Sequence, residues 1–183
     1  MTVPSDWPGR AHAETLRQWP TFAHVARRVA EAPTLDGLII AGSFADGRAD
    51  DVSDVDFIVV VAEGRFEEAW EQRAHLQPAG TLAAWDVRRD PGVEQGAHKF
   101  LTGDIIKVEC GMSTASLPDD VLADPFAVVV GDANLGDRFH RIGPIPPEVL
   151  EEYAQKLREE GGVPEVETLY GQLVRAIRAA RAG

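Results

Sequence analysis

Asp54 and Asp56 stand one residue apart at the head of the β-branched run Val55-Asp56-Phe57-Ile58-Val59-Val60-Val61. Side chains alternate along a strand, so both carboxylates share one face while Val55 and Phe57 take the other. Aspartate is disfavoured in strands, and like charges on one face repel. A pair held this way beside a hydrophobic run calls for a cation between the carboxylates. Hard oxygen ligands suit Mg²⁺, which keeps several waters and bridges to substrate phosphates. Two such ions can clamp the attacking and leaving oxygens of an in-line phosphoryl displacement.

The segment upstream fits the same chemistry. Leu38-Ile39-Ile40-Ala41 is a short continuous apolar run and reads as a buried strand. Gly42-Ser43 closes it, and ten residues separate Ser43 from Asp54. A glycine at a strand-to-helix turn lets a phosphate approach the backbone. Amides at the start of a following helix would point at the anion, and Ser43 adds a hydroxyl donor. Alone, Gly-Ser is a common turn dipeptide.

An apolar strand, Gly-Ser, about ten residues and Asp-x-Asp in a second apolar strand together resemble the signature of the polymerase-beta-like nucleotidyltransferase superfamily. The stretch Gly42-Ser43-Phe44-Ala45-Asp46-Gly47-Arg48 to Ser53-Asp54-Val55-Asp56 resembles its small bacterial members, including those that adenylylate antibiotics and those paired with toxins. The close match covers residues 38–61; the remainder matches in element order only. The resemblance implies an α+β fold with a central mixed sheet, flanking helices, C-terminal helices and acids along one edge. It implies transfer of a nucleoside monophosphate, AMP from ATP, to a hydroxyl of a small-molecule or protein acceptor, with release of pyrophosphate. Asp54 and Asp56 would hold Mg²⁺ in a two-ion site, and Gly42 and Ser43 would hold the β- and γ-phosphates. The competing expectation is a catalytically silent nucleotide-binding module, such as the antitoxin half of a toxin–antitoxin pair. A bare divalent-ion site on an unrelated α/β fold would leave Gly42-Ser43 without a purpose.

The family's third carboxylate lies on a later strand, and two residues qualify. In Ile106-Lys107-Val108-Glu109-Cys110 the apolar residues alternate inward, leaving Lys107 and Glu109 on the other face. Asp86 sits in Ala83-Ala84-Trp85-Asp86-Val87, nearer in sequence to the aspartate pair. Glu109 has the cleaner strand context and is preferred as third metal ligand, or as base for the acceptor hydroxyl. Lys107, which shares its face, and Arg48 are candidates for triphosphate oxygens, although each reads more readily as a surface cation. His98 and Cys110 are expected to be structural.

The other patterns frame this motif. Arg10 to Trp19 is weakly helical. Pro20 is expected to interrupt it, with Thr21 capping a second helix on the stripe Phe22, Val25, Ala26 and Val29 that Pro33 ends. Phe66 to Leu76 reads as helix and Thr81 to Val87 as strand. Asp90-Pro91-Gly92 reads as a turn. His98 to Leu101 and Ile105 to Gly111 read as a strand pair or as one strand bent around Gly103, and Phe126 to Val130 as a last strand. Pro146-Pro147 leads into a helix on Val149, Leu150, Tyr153 and Leu157. Gly161-Gly162 stops it, and a second amphipathic helix follows on Val166, Leu169, Tyr170, Leu173, Val174 and Ile177. The expected division is a catalytic domain over 1–142 and a C-terminal helical segment over 143–183.

Composition narrows the partners. The net charge of −12 argues against long nucleic acid, whose binding faces are basic, and would suit a cationic acceptor, although acidity more simply aids solubility. A single cysteine permits no internal disulfide. With no secretory pattern at the start and no apolar run of membrane length, a cytoplasmic location is expected.

Overall fold

The computed structural model describes residues 6–88, 92–114, 121–143, 170–172, 174–176 and 178–179. The described chain is α+β, with a mixed six-stranded sheet and few helices. Short α1 (Arg10–Ala13) and longer α2 (Trp19–Glu31) precede β1 (Leu35–Ala41). A single 3₁₀ turn (Gly42–Phe44) leads through a loop to β2 (Val55–Val61). Next come α3 (Phe66–Glu71), a 3₁₀ turn (Arg73–Leu76), β3 (Ala83–Arg88), β4 (Gln95–Leu101) and β5 (Lys107–Ser113). Then follow β6 (Val121–Ala123), β7 (Phe126–Val130), a 3₁₀ turn (Leu135–Arg138) and β8 (His140–Ile142). The sheet order is β3-β4-β5-β2-β1-β7, and β6 pairs with β8 apart from it. Only β2 and β5 run parallel in the main sheet; its other neighbours are antiparallel.

The two faces of the sheet differ. One packs Leu38, Ile40, Val55, Phe57, Val108 and Cys110 against Phe22, Val25 and Val29 of α2 and Phe66 and Trp70 of α3. On the other, Ile39 and Val60 meet Leu122, Leu135 and Phe139, with Ile58 and Val128 beside them. This second cluster covers only part of its face. The acids lie on the same face, toward the start of β2 and β5.

Several expectations are corrected. Pro20 starts a helix instead of interrupting one: it lies in the first turn of α2, where a missing N–H breaks no helical bond. Gln18, and not Thr21, is the N-cap residue, and it caps without its side chain. Ile105 does not begin β5. Its φ of 58° is left-handed, an unfavourable conformation for a β-branched residue, and β5 starts at Lys107. β6 and β8, three residues each, are too short for alternation to announce them. The acids are not along an edge, since β2 and β5 are interior strands. Residues 90–91 of the expected turn, the boundary near 143 and both C-terminal helices up to residue 169 lie outside the described residues, whereas 170–172 are helical. Among the described residues no helix is long and apolar enough to cross a membrane.

Candidate functional site

The hairpin of β1 and β2 brings the two halves of the motif together. Ile40 pairs with Phe57, so the end of β1 lies beside the start of β2. The chain turns at Gly42 with a φ of +66°, a conformation that favours glycine. A Cβ at Gly42 would come 3.8 Å from Asp56 Oδ2. The Gly42 amide donates to the Pro125 carbonyl at 3.0 Å, so it is not open to an anion. The helix expected after it is only the 3₁₀ turn Gly42–Phe44. The half-buried Ser43 uses its carbonyl to accept from the amides of Arg48 and Ala49 at 2.9 and 3.0 Å, which shapes the loop.

Register assembles the acids. Asp56 pairs with Glu109 across the parallel β2–β5 ladder, and Glu109 pairs with Lys99 across β5–β4. Paired residues point to one face, so Asp56, Glu109 and Lys99 form a row, which Trp85 on β3 continues. The row one residue on, facing the helices, is Phe57, Cys110, His98 and Asp86. Asp86 therefore lies on the opposite face from Asp56 and three strands away. There it binds Arg73 through both oxygens at 2.8 and 2.7 Å and accepts from His98 Nδ1 at 2.7 Å.

The charges in the acid row are balanced locally. Lys99 Nζ lies 3.0 Å from Glu109 Oε2, with the lysine side chain 1 % exposed and the glutamate 21 %. Lys107 Nζ lies 3.5 Å from Asp54 Oδ2, at 16 % and 42 % exposure. Burial, then the charges of Asp54 and Glu109, push the Asp56 carboxyl well above the ordinary carboxylate range, against the pull of Lys107 and Lys99. Arg48 is not gathered in: its side chain is 74 % exposed and pairs with Asp46 at 2.5 Å. Burial pushes the Cys110 thiol up, with Glu109 and Asp56 adding to it, and an un-ionised thiol is a poor nucleophile.

The donor set suits a hard divalent ion at Asp54 and Asp56: same-face carboxylates, one crowded by like charge, beside a glycine that leaves space. Among the described residues, however, no three His, Cys, Asp or Glu side chains are gathered into a ready metal-holding group.

Sequence reasoning missed four residues around these acids. Lys99 reads as a surface lysine until the order β4-β5-β2 turns it toward Glu109. Gln18 is fully buried and donates to the carbonyls of Asp50 and Ser53 at 2.8 and 2.9 Å, fixing the approach to Asp54. Arg17 donates to the carbonyls of Asp51, Asp104 and Ile105, tying the loop before β2 to the loop before β5. Tyr170 donates to the Val52 carbonyl at 3.2 Å, and burial, then the Asp54 charge, raise its phenol. Only alternation in β4 could have pointed to Lys99; the other three depend on loop contacts. No protein-family model matches the chain, and no curated protein matches it.

Proposed function

We propose that the chain is a metal-dependent nucleotidyltransferase that moves a nucleoside monophosphate, AMP from ATP by resemblance, to an acceptor hydroxyl. The observation that carries the reading is the row of acids beside Gly42: Asp56 next to Glu109 in register, with Gly42 against the Asp56 carboxylate. Asp54 and Asp56 would hold Mg²⁺, which when bound stabilises charge on the phosphoryl oxygens. The acceptor oxygen forms a bond to the α-phosphorus, the bond to the β-phosphate's bridging oxygen breaks, and pyrophosphate leaves. Glu109 is the residue to receive the acceptor's proton. Lys107, 3.5 Å from Asp54, would meet the departing pyrophosphate. Ser43 offers a hydroxyl at the turn next to Asp56.

The silent nucleotide-binding reading is favoured by one observation, the Lys99 ammonium that already occupies Glu109. One experiment separates the two. The full chain is incubated with Mg²⁺, each nucleoside triphosphate and a panel of hydroxyl acceptors, and mass spectrometry reads an added nucleotide. Transfer by the wild type and none by Asp54→Asn/Asp56→Asn supports the enzyme. Triphosphate binding without transfer to any acceptor supports the silent module. Equal transfer by wild type and double variant rejects the proposed site.

A further inference from the structure

We propose that Tyr170 is a positioning residue of the acid site, whose hydroxyl ties the loop before β2 to the start of β5 and so fixes the direction of Asp54; this rests on the metal-dependent reading above and adds a residue to it. Asp54 needs such a tie. The β2–β5 ladder opens with Val55 beside Val108, and the next pair sets Asp56 beside Glu109. Asp54 stands one residue ahead of Val55, outside β2 and outside that ladder. The ladder therefore orients Asp56 but not Asp54, whose direction is set by the loop it leaves.

That loop is held by side chains at each carbonyl from Asp50 to Ser53. Gln18 donates to the carbonyls of Asp50 and Ser53, and Arg17 to that of Asp51. The Val52 carbonyl, two residues before Asp54, accepts from Tyr170 Oη at 3.2 Å. Tyr170 lies 118 residues further along the chain, in the helical residues 170–172. Its phenol oxygen also accepts from the Lys107 backbone. A hydroxyl can donate once and accept as well, so one group serves both strand entrances. Asp54 and Lys107, whose side chains meet at 3.5 Å, are carried by the two segments that it joins. A carboxylate on a loose loop must be ordered when a metal ion binds, and that entropic cost is subtracted from affinity. With the loop already tied to β5, Asp54 meets the ion in place.

The test is Mn²⁺ binding to the full chain without nucleotide, followed by electron paramagnetic resonance, with circular dichroism to verify folding. Tyr170→Phe keeps the ring and removes the hydroxyl. It should weaken Mn²⁺ about tenfold, the low end for a group that orients a metal ligand. A merely structural tyrosine would lower the melting temperature and leave the Mn²⁺ affinity of the folded chain unchanged. Asp54→Asn should itself weaken Mn²⁺ about tenfold. With that ligand gone the hydroxyl has nothing to aim, so Asp54→Asn/Tyr170→Phe should bind within about twofold of Asp54→Asn. Arg178→Gln loses only the exposed pair with Asp50 and should stay within about twofold of wild type. Unchanged affinity in Tyr170→Phe overturns the inference, and so do losses that multiply in the double variant. A loss in Arg178→Gln as large as that in Tyr170→Phe also overturns it, since the effect would then belong to the seating of the C-terminal residues and not to the hydroxyl. If the wild type binds no Mn²⁺, the metal-dependent reading falls and takes the inference with it, an outcome distinct from a wild type that binds beside an unchanged Tyr170→Phe.

Discussion

Asp56 is a site where the needs of the fold and those of chemistry oppose each other. Its carboxyl is raised by burial and by two neighbouring acids, so the ionised form is disfavoured in the protein without metal. Asp56→Asn keeps the shape and removes one of the repelling charges. It should therefore stabilise the metal-free fold, by about 0.5–2 kcal/mol, the usual gain when a functional residue is relieved of strain. The same change should abolish nucleotide transfer. Thermal melts in EDTA check the first half: a variant that melts below wild type would show that Lys99 and Lys107 already neutralise the row.

Among the elements, β1 is held on both sides, since it lies between β2 and β7, and it carries the Gly42 turn at its end. Gly37 is where β1 comes closest to its surroundings. A Cβ there would meet the Val130 carbonyl oxygen at 2.3 Å and Leu135 Cδ2 at 2.6 Å. The first of these is backbone and cannot swing aside. Gly37→Ala should cost about 1–3 kcal/mol, the range for overpacking. Gly143→Ala, where a Cβ meets nothing within 4 Å, is the matched control and should stay within about 0.5 kcal/mol. Urea unfolding of both compares them directly; equal midpoints would mean that β1 and β7 separate freely at this point. Strand runs such as Val55–Val61 and Phe126–Val130 were legible at their observed bounds, because β-branched residues crowd them. Ile105 was read as strand because it is apolar and β-branched; the tight loop from Thr102, closed by its amide donating to the Thr102 carbonyl at 2.9 Å, overrides that preference.

At the scale of the whole molecule, the helical layer and the sheet are tied by a polar cluster on the face away from the acids. Arg73, from the turn after α3, grips Asp86 on β3. His98 on β4 donates from Nδ1 to Asp86 and accepts at Nε2 from the Gln77 amide at 2.9 Å. Burial, only partly offset by Asp86, lowers the His98 imidazole below its ordinary value of 6.5. Burial would raise the Asp86 carboxyl, but the Arg73 and His98 hydrogen bonds outweigh it and hold the group below 3.8. The unfolded chain therefore binds more protons than the folded one at both groups, so stability falls as pH falls. The His98 contribution is present above about 6.5 and is lost as pH drops from there toward its lowered folded value. The Asp86 contribution goes only below about 3.8. Urea unfolding at pH 7.5 and 5.5 should show the wild type losing stability across the interval and His98→Gln losing less. A wild type equally stable at both values would contradict this.

The local chemistry of the motif was within reach of the sequence alone. Alternation over Val55–Val61 sends Asp54 and Asp56 to one face, and the Leu38–Ala41 run with Gly42-Ser43 marks a strand that must turn. These are short-range facts, set by backbone geometry and by which residues tolerate burial. Choosing between Glu109 and Asp86 by preference was also possible, but their separation onto opposite faces was not, because it depends on strand order and on register across three successive strand pairings, the last of which joins Asp56 to Glu109 from distant parts of the chain. The same holds for Lys99. A lysine between His98 and Phe100 reads as solvated. Only the pairing of β4 with β5 buries it against Glu109, since a charge's partner is set by packing across the sheet and not by its neighbours in the chain.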